Sequence, residues 1–189
     1  FIDRRPPQPW GPTVETDNVQ AGHMATRYLL DRGHTRIAIL GRHQALSTVT
    51  GRFAGYRQAL AEAGITPDPS LAVTVDSRQE AALQGTLALL RRPDPPTALI
   101  AANHVMTLGV VTAMRELGRQ CPRELSFIAF DDLPWLALVA PPLTAVRHAT
   151  SAICRCAVDL LLAAMDGQSS ERNGAANYPT VTLPAELIE

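Results

Sequence analysis

Residues 97–101, TALIA, are a short apolar run that stops just before Asn103. RIAIL (36–40) follows the same plan and opens into Gly41 and a polar loop leading to Arg52. SFIAF (126–130) ends at Asp131–Asp132. Short apolar runs bounded by turn signals are the pattern of parallel strands covered on both faces. In open parallel sheets, ligands bind in the crevice beyond the carboxyl ends of the strands. A guanidinium, a carboxamide and a carboxylate at three such ends suit a small ligand rich in hydroxyls.

Outward from these runs, strand and helix patterns alternate. Helical spacing of apolar residues covers 18–32, 51–63, 79–91 and 105–117, with Gly33, Gly64, the RRPDPP stretch and Gly118 as stops. LAVTV (71–75) adds a strand. This order predicts an α/β fold, an open parallel sheet flanked by helices with right-handed crossovers. After Asp132 the rhythm breaks, because LPWLALVAPP has no clean period. LTAV (143–146) reads as a short strand and 152–166 as a helix capped by Thr150 or Ser151. Residues 167–177 read as a polar loop, and YPTVTLPAELI as one closing strand. FIDR (1–4) reads as the end of a strand, so the chain is expected to be part of a longer one.

Composition removes several classes of function. The 189 residues suffice for one or two domains with a real core. A net charge of −1 supplies no global basic field for nucleic acid. All 17 cationic residues are Arg, a bias best ascribed to genome composition. No apolar run approaches the roughly 20 residues of a membrane span, so no membrane partner is expected. Cys121, Cys154 and Cys156 lack the even count and spacing of a disulfide framework. The five His show no metal-ligand spacing, and there is no phosphate-binding Gly loop or nucleophile elbow. No metal, cofactor or catalytic residue is therefore expected.

Each candidate residue has an ordinary alternative. Adjacent Asp131 and Asp132 on a strand point to opposite sides, so they do not form a catalytic dyad. One can face the cleft while the other serves a turn; equally, both can be turn residues. Trp135 would wall a pocket or simply join the core. Arg52, at the first turn of its predicted helix, opposes the helix dipole unless something else engages it; its alternative is a solvated Arg. Asn103 is a turn former or a bidentate ligand contact.

Taken in order, several segments resemble the lactose-repressor (LacI/GalR) family of bacterial regulators. They are FIDR, TDNVQAGHMATRYLLDRGHTRIAILG (16–41), GRFAGYRQALAEAGI (51–65), PTALIAANHVMTLGVVTAMRELG (96–118), CPRELSFIAFDD (121–132), PPLTAVRH (141–148) and the final LPAELIE. The resemblance implies the effector-binding part of such a regulator, with a periplasmic-binding-protein-like type I fold and mostly its C-terminal lobe. Arg52, Asn103 and Asp131 would then be effector contacts, with Trp135, Thr48 and Asp17 as further ones. Thr48 falls in a loop that often adds a hydroxyl contact. Two departures stand out: His104 replaces the usual Asp after Asn103, and Ala129 replaces the usual Gly before the F-D-D segment.

The resemblance further implies that 35–140 and 175–189 form the C-terminal lobe. Residues 1–34 and 141–174 would be a remnant of the N-terminal lobe plus crossovers. The expected partners are a small effector (sugar, polyol or nucleobase-like) and a second copy in a homodimer. Operator DNA would be reached only through a helix-turn-helix domain that has no counterpart in these residues. The expected protein is a cytoplasmic non-enzyme. A periplasmic sugar-binding transport receptor of the same fold is the alternative, and it would require a secretion signal upstream of Phe1.

Overall fold

The computed structural model describes residues 1–8, 10–42, 46–165 and 178–189. The expected polar loop at 167–177 lies outside them. Six strands form the main sheet, in the order β3-β2-β4-β5-β6-β8. They are β2 (Ile37–Arg42), β3 (Ala72–Val75), β4 (Ala98–Ala101), β5 (Ser126–Phe130), β6 (Thr144–His148) and β8 (Ala185–Ile188). All neighbours are parallel except β6 and β8, which are antiparallel. A separate two-stranded parallel sheet pairs β1 (Thr13–Thr16) with β7 (Thr180–Leu183), and Ile2 bridges Val14 beside it.

The helices are α1 (Asn18–Leu30), α2 (Ser47–Glu62), α3 (Gln79–Leu90), α4 (His104–Glu116) and α5 (Thr150–Met165). Side chains alternate across a strand, and the core follows that alternation. Ile37, Ile39, Ile100, Ile128 and Phe130 pack with Ala21, Leu29, Phe53 and Tyr56 of α1 and α2. Ala38, Leu40, Leu99 and Phe127 pack on the opposite side with Leu89, Met106 and Val110 of α3 and α4. Both faces are covered, which is why the strands read as nearly continuous apolar runs. Gly33, Gly64 and Gly118 all adopt positive φ just past helix ends, as the stop signals required.

Three expectations need correction. The closing segment is two strands, because Pro184 separates β7 on the small sheet from β8 on the large one. The helix expected from residue 51 begins at Ser47, so Thr48 lies on its first turn and not in a loop. The expected division after residue 34 does not match the packing. Helix α1 lies against α2 and β8, and β6 belongs to the main sheet, while β7 joins β1 and α5 packs on both.

Contact between α1 and α2 is unusually close for a backbone reason. A Cβ at Gly22 would run into the Arg52 carbonyl, and one at Gly55 into the Val19 carbonyl. Glycine permits this approach, and the approach brings Asn18 within reach of Arg52.

Candidate functional site

The carboxyl ends of β2, β4, β5 and β6 open on a cavity of about 300 Å³. Its floor includes Thr48, Arg52, Asn103, Asp131 and His148, and residues Ile2, Asp3 and Arg4 come from the side of the small sheet. The Arg5 amide donates to the Ser47 hydroxyl at 3.0 Å, which ties that segment to the start of α2.

Arg52 is not a solvated Arg. It is 4% exposed and its fork faces three partners. Nε donates to Asn18 Oδ1 at 2.9 Å and Nη1 to the Ala102 carbonyl at 2.7 Å. Nη2 lies 3.1 Å from His148 Nε2. The guanidinium also stacks over the Phe130 ring at 4.3 Å, a cation–π contact. Burial lowers its pKa, opposed mainly by the Asp131 carboxylate.

Asp131 leaves β5 with φ at +73°, a left-handed conformation that Asp tolerates better than most residues. This turn aims its carboxylate into the cavity. Oδ1 is 3.0 Å from His148 Nε2, and Oδ2 accepts the His104 amide at 3.1 Å. Burial alone would raise the carboxyl pKa. The His148 hydrogen bond, the Arg52 charge and the His104 amide overrule it and hold the pKa at about 2. Asp132 points elsewhere and pairs with Arg147 Nε at 2.7 Å. The two carboxylates therefore diverge, and since both lie past the end of β5 it is the left-handed turn at Asp131, not strand alternation, that separates them.

Asn103 caps α4, its Oδ1 accepting from the amides of Val105 and Met106 at 2.9 and 3.0 Å. The cap commits its oxygen and leaves the Nδ2 amide to donate into the cavity. Thr48 is buried and lines the cavity. Asp17 and Trp135 do not line it. Asp17 caps α1, accepting the Gln20 amide at 2.8 Å, and borders two separate surface depressions. Trp135 sits in the 3-10 turn Pro134–Leu138, packed against the core cluster that also holds Leu136.

The sequence reading overlooked His148, which the structure places at the centre. Its Nδ1 lies 3.1 Å from the Thr16 hydroxyl on β1, while Nε2 faces both Asp131 and Arg52. One ring nitrogen cannot donate to Asp131 and accept from Arg52 at once. With the carboxylate ionised, Nε2–H donates to Asp131, and Arg52 contributes through its charge. This is an assignment of the ring proton from its surroundings. His148 thereby links the main sheet to the small one.

What this arrangement offers is a set of hydrogen-bonding groups that suit hydroxyls. Asp131 offers acceptors, Arg52 and Asn103 offer donors, and a guanidinium stacked on an aromatic ring is rigid. Among the described residues no group of three side chains is placed to hold a metal ion. No helix of the described residues is long and apolar enough to cross a membrane.

Comparison with known proteins agrees with the fold and with the family resemblance. Residues 26–189 match the periplasmic binding protein-like domain. The repressor PurR of Haemophilus influenzae (strain PittEE) is 31% identical over 184 residues, covering 95% of this chain and 54% of that protein. The repressor CytR of Escherichia coli (strain K12) is 36% identical over 157 residues, covering 83% of this chain and 46% of that protein. The solved structure of the regulator CelR in complex with cellobiose superposes with a TM-score of 0.88 at 28% identity, covering 100% of this chain and 57% of that one. The chain thus spans about half the length of the curated relatives it matches. It belongs to the periplasmic binding protein-like domain family, and its homologues are repressors and regulators of the LacI family.

Proposed function

We propose that this chain senses a small hydroxyl-rich ligand, a sugar or close relative, for a bacterial transcriptional repressor. The observation that carries the reading is the Asp131–His148–Arg52 cluster on the floor of one cavity. It joins an ionised acceptor to a rigid donor. Asp131 accepts from paired hydroxyls, and Arg52 and Asn103 donate to ring and hydroxyl oxygens. Thr48 adds a hydroxyl. Asp17 and Trp135 act at a distance, by capping α1 and filling the core. A relative solved with cellobiose supports the sugar class.

The Asp131–His148 pair is turned onto the Arg52 guanidinium and the buried Thr16 hydroxyl, which favours binding over catalysis. Ligand would sit between the main sheet and the small one and favour one relation of the two. A ligand shifts such an equilibrium only by its difference in affinity for the two states. In the whole protein that shift would tune operator binding through a domain outside this sequence, in a cytoplasmic homodimer. PurR and CytR support the repressor role.

A thermal-shift panel of neutral sugars, polyols and nucleosides tests this, since specific binding raises apparent stability. Hydrogen bonds to a charged group are worth about 1.5–3 kcal/mol. A selected ligand should therefore lose about tenfold or more in affinity in Asp131→Ala. Unchanged affinity by calorimetry would remove Asp131 from the site.

A further inference from the structure

One nitrogen of His148 faces an acceptor and a donor together. Nε2 is 3.0 Å from Asp131 Oδ1 and 3.1 Å from Arg52 Nη2. Nδ1 is 3.1 Å from the hydroxyl of Thr16, which is 1% exposed. A hydroxyl donates or accepts according to how its proton rotates. A neutral imidazole therefore has two matched proton arrangements at this place. With the proton on Nε2, the ring donates to Asp131 and accepts from Thr16. With the proton on Nδ1, the ring donates to Thr16 and accepts from Arg52. Nε2 makes a charge-assisted hydrogen bond in both, to a carboxylate in one and from a guanidinium in the other. What decides between them is whether Asp131 has an oxygen to spare.

Ligand hydroxyls change that demand. Oδ2 of Asp131 already accepts the His104 amide, and His104 Nδ1 lies 3.4 Å from it. Paired hydroxyls at this carboxylate must draw on Oδ1, the oxygen that His148 uses. The consequence reaches the small sheet. Asn18 takes Arg52 Nε on its Oδ1 and donates through Nδ2 to the Thr16 carbonyl at 2.9 Å. With the proton on Nδ1, hydrogen bonds run from Thr16 to His148, Arg52, Asn18 and back to Thr16, a closed ring between β1 and the main sheet. With the proton on Nε2, that ring is open between His148 and Arg52.

We propose that His148 is a tautomeric relay: hydroxyls that take up Asp131 Oδ1 move the ring proton from Nε2 to Nδ1 and close this ring on Thr16. Thr16 is a positioning residue, since it lies off the cavity and acts through the imidazole. The exchange releases one proton from Nε2 to solvent and takes one up at Nδ1, so the charge is unchanged. The His148 side chain is 14% exposed, which gives solvent access to it. The relay rests on the cavity being the ligand site, and its chemistry is testable without a ligand.

Long-range proton–nitrogen correlation NMR of the histidine rings reports which nitrogen carries the proton. Near neutral pH the native chain should show His148 protonated on Nε2 alone. A ring protonated on both nitrogens would overturn the relay. Asp131→Ala withdraws the carboxylate and should move the proton to Nδ1. Asp131→Gly is a second variant, because glycine suits the φ of +73° at this position. A ring that keeps its proton on Nε2 in the folded variants would overturn the relay. Adding Thr16→Val takes away the acceptor for Nδ1–H and should lessen the shift, while Thr16→Ser should preserve it. An equal shift with Val and Ser would remove Thr16 from the relay. Ribose, glucose and cellobiose titrated into the native chain then supply the occupied state. Any that moves the Asp131 carboxyl signal should also move the His148 proton to Nδ1. Carboxyl shifts with an unmoved ring would overturn the relay and leave the sugar site standing. No carboxyl shift with any sugar, beside a ring that switches in Asp131→Gly, would do the reverse.

Discussion

His148 and Asp131 form the central contact of the cavity, with Nε2 of the ring 3.0 Å from Oδ1 of the carboxylate. The opposite ring nitrogen lies 3.1 Å from Thr16, so the same side chain orients the main acceptor and reaches the second sheet. Removing it should release both. In His148→Ala the Asp131 carboxyl, held at about 2 in the native protein, should titrate higher. A carbon-detected NMR titration of Asp131 measures this directly. An unmoved titration would show that Arg52 and the His104 amide hold the carboxylate without the ring.

The depressed Asp131 pKa also contributes to the acid stability of the fold. An unfolded Asp titrates near 3.9, above the folded value of about 2. Stability from this group is therefore fully present above about pH 4 and lost as pH falls towards 2. The contribution is on the order of 2 kcal/mol. Urea melts of the native chain and Asp131→Asn should differ in their pH dependence over that window, with the native chain the steeper. Parallel curves would contradict this.

Arg52 is fixed by geometry as much as by charge. Lys carries a single point of charge and cannot serve Asn18 Oδ1 and the Ala102 carbonyl together while keeping its charge beside Asp131. Each buried acceptor left unmatched costs about 1–3 kcal/mol. Arg52→Lys should therefore destabilise by about 2 kcal/mol or more by urea melt. A neutral result would mean that water readily replaces the guanidinium.

The close approach of α1 to α2 makes a second structural demand. A methyl at position 55 would meet the Val19 carbonyl, which is backbone and cannot rotate away. Overpacking of this kind costs about 1–3 kcal/mol. Gly55→Ala should lower the melting midpoint and, by shifting α1, loosen Asn18 from Arg52. The comparison with Gly64→Ala, where a Cβ has open space but φ is +72°, separates crowding from backbone strain.

Much of this was legible in the sequence. The apolar runs 36–40, 97–101 and 126–130 became β2, β4 and β5 because doubly covered strands carry an unmistakable pattern. Their ends correctly marked Arg52, Asn103 and Asp131 as neighbours. His148 was missed although the same logic reaches it, since LTAV was read as a strand two residues short of it. Its role depends on β6 lying beside β5, a long-range pairing no local pattern encodes. Trp135 was placed on the cavity wall because an aromatic near a strand end suits a pocket; the 3-10 turn instead presses it against the core. Strand β1 went unseen because TVET is short and polar, and its partner is β7, over 160 residues away. Two sheets sharing one terminal segment cannot be foreseen from a single Pro at position 184.

The most direct measurement is a co-crystal structure with the sugar that the thermal-shift panel selects. The expected result is a ligand in the 300 Å³ cavity, its hydroxyls within hydrogen-bond distance of the Asp131 carboxylate and the Arg52 guanidinium. A ligand seated elsewhere, for instance in the depression beside Asp17 and His23, would contradict the assignment.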